Sequence, residues 1–224
     1  MAPLLLAAAA TGALAIASGP LGQPGLFFVF KPLTTLLIIA WAWRRGHDTP
    51  APRRWVLLGL VCSLAGDIAL LWPQQGFLPG LVNFLLAHLA YLVAFTRQPG
   101  GRPLAATRLP FVAYAAVAGL ILSQLWPGVP MALRGPVVAY VVCLVGMAAQ
   151  AAVLGLARQP RSALLALGGV LFVASDTLLA VNKFATPLPL ANLWILASYW
   201  PAQACIAAWL SPASPTSPTS QTRG

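Results

Sequence analysis

The chain has 224 residues, of which 59% are hydrophobic and only 7% are charged, and its formal net charge is +10. Soluble domains carry roughly 25% charged residues, so this composition excludes a soluble globular protein and indicates an integral membrane protein. The positive charge does not indicate nucleic-acid binding, because the arginines lie in short segments between apolar runs and form no single basic face.

The first apolar stretch, MAPLLLAAAATGALAIASGP, has two interpretations. Residues 15–17 resemble the cleavage site of a secretory signal peptide. However, such peptides usually carry a Lys or Arg ahead of their apolar residues, and none is present here. We therefore interpret this stretch as a short first transmembrane helix.

Seven further apolar stretches follow, each close to the roughly 20 residues that a helix needs to cross a bilayer. The predicted helices are residues 3–18, 26–43, 55–73, 77–96, 108–126, 135–157, 162–182 and 190–210. The sequence therefore predicts an all-α, polytopic membrane helix bundle with about eight transmembrane helices. Residues 1–210 would form a single transmembrane domain, and the Ser/Thr/Pro-rich tail, residues 211–224, would be disordered.

The basic residues predict the orientation of this bundle. Ten of the 13 fall on one side of an eight-helix arrangement, in three loops and the tail. They are Arg44, Arg45, Arg53, Arg54, Arg97, Arg102, Arg108, Arg158, Arg161 and Arg223. Because cytoplasmic loops of membrane proteins are rich in Lys and Arg, we expect both termini to be cytoplasmic.

A weak internal repeat links the two halves of the chain at a spacing of 109 residues. The matching pairs are Gly59 and Gly168, Val61 and Val170, Ala65 and Ala174, Asp67 and Asp176, Leu70 and Leu179, Leu81 and Leu190, and Asn83 and Asn192. Chance explains several of the apolar matches. The alternative is an ancient duplication that left two four-helix repeats, with the two aspartates at similar depths.

Two of the three acidic residues lie inside long apolar runs: Asp67 in LVCSLAGDIALLW and Asp176 in GGVLFVASDTLLA. A carboxylate within a membrane is costly, so it normally faces the protein interior and has a partner. One interpretation is a structural ion pair with Lys31 or Lys183. We favour a functional site that contains both aspartates.

Other polar residues lie at compatible depths on five predicted helices, and helical spacing places them on shared faces. The shared faces are Lys31, Thr34 and Thr35; Ser63 with Asp67; His88 with Tyr91; Asp176 with Lys183; and Asn192, Tyr199 and Gln203, while Asn83 has a compatible depth. Together they predict a polar cavity. Structural alternatives stay open, since hydroxyls can bond their own backbone, lysines can extend to the interface, and a histidine or tyrosine can serve in packing.

Five motifs resemble the YhhN family, the lysoplasmalogenase-like multi-pass membrane proteins of bacteria and eukaryotes. They are FKPLTT at 30–35, SLAGDIALL at 63–71, FLPGLVNFLLAHLAY at 77–91, ASDTLLAVNKF at 174–184 and SYWPAQACIA at 198–207. The resemblance covers about residues 26–210. It implies hydrolysis of the vinyl ether bond of lysoplasmalogens to a fatty aldehyde and a glycerophospho-alcohol. The family's motif residues correspond to Lys31, Asp67, Asn83, His88, Asp176, Asn182 and Tyr199.

Vinyl ether hydrolysis needs an acid that protonates the β-carbon and a carboxylate that stabilises the cation or activates water, much as in glycoside hydrolysis. We expect Asp67, which the predicted depths place farther from either lysine, to be the acid, and Asp176, on the face of Lys183, to be ionised. The expected catalytic residues are Asp67, Asp176, His88 and Tyr199, and the expected substrate-binding residues are Lys31, Asn83, Asn182, Lys183 and Gln203. Lys31 would hold the lipid phosphate, and an apolar groove would take the alkenyl chain.

The expected partners are a lysophospholipid substrate and membrane lipids, with no metal and no cofactor, and the expected location is the bacterial inner (cytoplasmic) membrane. A transporter or lipid-binding protein is the main alternative, because intramembrane Asp, His and Lys also form proton relays and substrate pathways. The second alternative is a metal-dependent hydrolase with Asp67, His88 and Asp176 as ligands, although no two of these ligands lie close together in the sequence.

Overall fold

A computed structural model describes residues 2–97, 107–158 and 160–212. Within these residues the chain forms eight α-helices and a short 3-10 turn at Trp126–Gly128. The helices are α1 (Ala2–Ala17), α2 (Pro24–Trp43), α3 (Pro50–Ala69), α4 (Phe77–Thr96), α5 (Leu109–Leu125), α6 (Met131–Leu156), α7 (Ser162–Phe184) and α8 (Ala191–Trp209). The predicted all-α fold is confirmed, and each predicted helix overlaps an observed one.

The largest boundary error concerns α3, which begins at Pro50 and not at residue 55. The predicted bounds left Pro50 and Pro52 in the loop before the helix. However, the first turn of a helix tolerates proline, because its N–H groups have no intrahelical partner there. The error moves the start of α3 but leaves Asp67 within the helix.

Five helical segments are long and apolar enough to cross a membrane: Pro24–Trp43, Phe77–Thr96, Leu109–Gly128, Met131–Leu156 and Ser162–Phe184. The stretch Pro3–Ala17 is apolar but shorter. Large apolar side chains are also exposed on the outer surface of the bundle, for example Leu6, Leu120 and Val142. An apolar exterior of this kind belongs in lipid, so the chain is an integral membrane protein.

The helices pack mainly as α1 on α2, α3 on α4, and α7 on α8, while α6 lies between α4 and α7. In contrast, α5 lies at the periphery, and Pro110 and Leu125 are its only buried residues. The interior therefore lies chiefly among α2, α3, α4, α6, α7 and α8, and α5 covers one side of it.

Two glycines allow neighbouring helices to approach closely. A Cβ at Gly59 on α3 would lie 2.3 Å from the ring of Tyr91 on α4. A Cβ at Gly168 on α7 would lie 3.0 Å from Ile206 on α8. These two glycines also match each other at the spacing of 109 residues, although their contact partners, Tyr91 and Ile206, do not.

The contacts of Arg45 show which loops lie at the same end of the bundle. From the α2–α3 loop, its guanidinium donates hydrogen bonds to backbone carbonyls at the end of α8, on Ala207, Ala208 and Leu210. Burial, followed by repulsion from the Arg161 cation in the α6–α7 loop, lowers the pKa of Arg45 from its ordinary value. Two of the predicted basic loops and the end of α8 therefore lie together.

The predicted disordered tail begins at this same end. Its first two residues contact the α2–α3 loop: the Gly46 N–H donates to the Ser211 carbonyl at 2.8 Å, and Arg45 and Pro212 form an isolated bridge. Residues 213–224 of the predicted tail, and Arg102 in the loop before α5, lie outside the described residues.

Candidate active site

Asp67 lies where α2, α3 and α8 meet, and it is 1% exposed. Its Oδ2 accepts hydrogen bonds from Thr35 Oγ1 at 2.6 Å and from Tyr199 Oη at 2.9 Å. The Lys31 ammonium lies 3.7 Å from Oδ1. Trp200 Nε1 donates in turn to Thr35 Oγ1 at 3.3 Å. Asp67 is therefore surrounded by donors and a cation, which are the partners that an ionised carboxylate requires.

A second layer of hydrogen bonds supports Tyr199. Gln203 Nε2 donates to Tyr199 Oη at 3.1 Å, and Tyr91 Oη donates to Gln203 Oε1. Both Tyr91 and Gln203 are fully buried. All donors in this series point toward Asp67, so each bond polarises the next in the same direction.

Asp176 on α7 has different surroundings. Its Oδ2 accepts a hydrogen bond from Tyr140 Oη on α6 at 2.7 Å, and His88 Nε2 on α4 lies 3.7 Å from the same oxygen, beyond hydrogen-bond distance. The imidazole packs edge-on against the rings of Tyr140 and Phe172. Among the described residues, no Lys or Arg forms an ion pair with Asp176.

Both carboxyl groups line one cavity of about 330 Å³. Its polar lining consists of Lys31, Asp67, Ser175, Asp176, Asn182, Lys183, Asn192 and Tyr199. Three of its lining residues are exposed, and they mark where it reaches the surface: Pro73, Lys183 and Asn192. These residues are in or next to the α3–α4 and α7–α8 loops, so the cavity opens at the end of the bundle opposite Arg45.

The predicted relation between the aspartates and the lysines is wrong. Asp67 was expected to lie farther from either lysine, yet it is the carboxylate that Lys31 contacts. The Lys183 ammonium instead lies 4.9 Å from the ring centroid of Phe77, and its side chain is exposed. The depth predicted from the sequence gives only the position of a residue along its helix axis. The rotation of each helix about that axis decides which side chains meet.

Two expected binding residues are not on the cavity wall. Asn83 Nδ2 donates to the carbonyl of Pro79, one turn earlier on α4, at 2.8 Å. Asn83 is five residues from His88, so the two point roughly 140° apart around the helix. Gln203 lies behind Tyr199 and supports it. In contrast, Asn182 is on the wall, where its Oδ1 also accepts the Leu188 N–H at 2.9 Å.

Two contacts to the carboxylates were not predicted. A bond from Thr35 to its own backbone stayed open as an alternative, but the Thr35 hydroxyl donates to Asp67. Tyr140 was not singled out, although it donates to Asp176. The chain has only four tyrosines, and Tyr140 lies within a long apolar helix. A buried hydroxyl in such a helix needs a partner, and that signal could have identified it.

The side chains that could hold a metal ion are dispersed in the described residues. In the part of the chain that the structure describes, no three side chains of His, Cys, Asp or Glu are grouped closely enough to hold a metal. The metal-dependent alternative therefore gains no support from the geometry of Asp67, His88 and Asp176.

Comparison with known proteins identifies the family. Residues 26–210, which are most of the chain, match the model of the YhhN family. The chain belongs to the YhhN family. The family resemblance of the five motifs is thereby confirmed, and all the cavity residues named above lie within the matched region.

Several relatives of this YhhN protein carry the name lysoplasmalogenase. Lysoplasmalogenase TMEM86B of Sus scrofa is 41% identical over 150 residues, which are 66% of this chain and 59% of the relative. The human TMEM86B protein is 39% identical over 162 residues, 70% of this chain and 64% of the relative. A lysoplasmalogenase of Mycobacterium bovis is 33% identical over 186 residues, 80% of this chain and 68% of the relative. The match thus covers less than two thirds of the two mammalian proteins. No solved structure matches this YhhN protein.

Proposed function

We propose that this protein is a membrane-embedded hydrolase that cleaves the vinyl ether bond of lysoplasmalogens. The observation that carries the proposal is that Asp67 and Asp176 line one cavity in contrasting surroundings. Two carboxyl groups with different environments can act as acid and base within one reaction. The names of the relatives point to the same substrate class.

In the proposed mechanism, Asp176 is the acid and Asp67 is the ionised carboxylate. The assignment reverses the expectation from sequence, because the cation and the two hydroxyl donors surround Asp67. Asp176 donates a proton to the β-carbon of the vinyl ether, and an oxocarbenium ion forms at the carbon bonded to the ether oxygen. The Asp67 carboxylate stabilises this cation.

Water then adds to the oxocarbenium carbon and loses its proton to Asp67, which gives a hemiacetal. In the last step Asp67 returns this proton to the ether oxygen as the carbon–oxygen bond breaks, and Asp176 takes the hemiacetal hydroxyl proton. The products are the fatty aldehyde and the glycerophospho-alcohol. Both aspartates regain their starting protonation states, so one molecule of water is consumed and no cofactor is needed.

Lys183 and Asn192 are the proposed partners of the lipid phosphate. Both line the cavity and both are exposed where it reaches the surface. Lys31 was expected to hold the phosphate, but its ammonium already neutralises Asp67. An exposed ammonium and an amide on the wall of the same cavity can bind a phosphate without burying a charge.

We further propose that all eight helices cross the bacterial inner membrane with both termini in the cytoplasm. The Arg-rich loops at the Arg45 end support this orientation through the positive-inside rule. The cavity would then open toward the outer leaflet. The matching positions of Gly59 and Gly168, together with those of Asp67 and Asp176, support a duplicated four-helix unit.

The experiment is release of aldehyde from lysoplasmenylethanolamine by the detergent-purified protein. Asp67→Asn and Asp176→Asn should each lower the rate by at least roughly a hundredfold. Asp48→Asn is the matched control, because Asp48 lies in the α2–α3 loop and bonds Ser211. Its rate should equal that of the wild type. Full activity in either cavity variant would contradict the two-carboxylate mechanism.

Reaction in D₂O tests the protonation step directly. The mechanism places one deuterium on the carbon next to the aldehyde, which mass spectrometry of the product detects. Aldehyde without this deuterium would rule out protonation of the β-carbon. No aldehyde from folded wild type, with either an ethanolamine or a choline head group, would overturn the hydrolase proposal in favour of lipid binding or transport.

A further inference from the structure

A second cavity, of about 90 Å³, adjoins the first between α5, α6 and α7. Its lining is mostly apolar, and it includes Ala118, Leu122 and Leu144. Four residues line both cavities: Leu70, Phe77, Asp176 and Leu179. Asp176 is the one carboxylate among the residues that line this second cavity, whereas Asp67 lines only the polar one. We call the second cavity the apolar groove.

The length of the apolar groove matches one hydrocarbon chain within a single leaflet. Along α5 it extends from Tyr114 to Leu125, which at 1.5 Å per residue is roughly 16 Å. The hydrocarbon core of a bilayer is about 30 Å thick, so a single leaflet is about 15 Å deep. The helix α5, which forms one wall, has little buried surface of its own. This wall of the groove therefore borders the surrounding membrane.

We infer that the apolar groove holds the alkenyl chain of the substrate, while its head group occupies the polar cavity. This inference rests on the proposed function. The β-carbon of a vinyl ether lies on the chain side of the ether oxygen. Because Asp176 lies at the junction of the two cavities, its carboxyl group is next to the β-carbon when the chain lies in the groove. The same placement explains why Asp176, and not Asp67, donates the proton.

Photolabelling tests the location without requiring catalysis. The probe is a saturated alkyl ether lysophosphoethanolamine with a diazirine on its chain, which this mechanism cannot hydrolyse. Labelling that excess unlabelled lipid suppresses should map to peptides of α5 and α6 that line the groove. Suppressible labelling confined to α1, α2 or α8 would overturn the inference. Labelling that persists in excess unlabelled lipid reports lipid around the outside of the bundle. If all the labelling persists in this way, the inference is also overturned.

A matched pair of variants tests the groove further. Ala118 lines it, whereas Ala116 is exposed on α5 and does not. Ala118→Phe should weaken binding of the long-chain ether lipid by roughly tenfold, because an added ring overfills a site that fits a chain. It should leave a short-chain analogue within about twofold, and Ala116→Phe should change neither. Equal behaviour of the two variants at every chain length would contradict the inference.

Failure of the inference can be distinguished from failure of the proposed function. If wild type releases aldehyde but Ala118→Phe behaves as Ala116→Phe, the hydrolase proposal stands and the groove assignment fails. If no aldehyde is released but the probe labels the groove and Ala118→Phe selectively loses long chains, the groove assignment stands and the hydrolase proposal fails.

Discussion

Lys31 Nζ lies 3.7 Å from Oδ1 of Asp67, and both side chains are almost closed off from solvent. Removal of one member of a buried ion pair leaves an uncompensated charge, which typically costs about 3–5 kcal/mol. Lys31→Met should therefore destabilise the protein by about 3 kcal/mol. Adding Asp67→Asn should restore much of that loss, because the remaining pair is neutral.

Thermal unfolding in detergent measures both effects in a double-mutant cycle. The double variant should be more stable than Lys31→Met alone but should release no aldehyde. If the double variant were as unstable as Lys31→Met, Lys31 would act through packing and not through the charge of Asp67.

Tyr199 and Tyr91 lie at different steps of the hydrogen-bond series that ends on Asp67, with Gln203 between them. Tyr199→Phe removes a direct donor, and hydrogen bonds to charged groups contribute about 1.5–3 kcal/mol. We expect kcat to fall by roughly 10- to 100-fold. Tyr91→Phe removes a bond two steps away, so its effect should be several-fold smaller. Steady-state aldehyde release measures both. A larger loss in Tyr91→Phe than in Tyr199→Phe would contradict the order of the series.

Gly59 is a point of close approach between α3 and α4. A Cβ at this position would lie 2.3 Å from the Tyr91 ring, which is buried and bonded to Gln203. Gly59→Ala should destabilise the protein by about 1–3 kcal/mol through overpacking. The matched control is Gly119→Ala on α5, where nothing lies within 4 Å of the new atom. It should be neutral or slightly stabilising, since alanine favours helix. Unfolding in detergent should separate the two, and equal stability would contradict the tight contact.

Arg45 holds the end of α8 to the α2–α3 loop. Arg45→Met would leave the carbonyls of Ala207, Ala208 and Leu210 without this partner, at a cost of about 1–3 kcal/mol. Arg54→Met is the control, because Arg54 is exposed. Hydrogen exchange should rise in the last turn of α8 in the first variant only. Equal exchange in both variants would show that other contacts hold this end.

The hydropathy of the chain was sufficient to predict eight helices, because the length of an apolar run is a local property of the sequence. It failed at the start of α3, where proline was interpreted as a break although a helix accepts it in the first turn. The rarity of charge was sufficient to select Asp67 and Asp176. Both line the cavity, together with Lys31, Tyr199, Asn182 and Lys183. Asn83, chosen by position in a motif, does not line it.

The sequence by itself therefore determined the class of protein, the approximate helices and the polar residues that a membrane interior must enclose. Only the tertiary structure decided that Lys31 pairs with Asp67, that Tyr140 bonds Asp176, and that Asp176 joins the polar cavity to the apolar groove. The physical reason is that the need for an apolar span acts on each segment separately. A contact between helices depends on the rotation and axial position of segments far apart in the chain, which packing of the whole bundle sets.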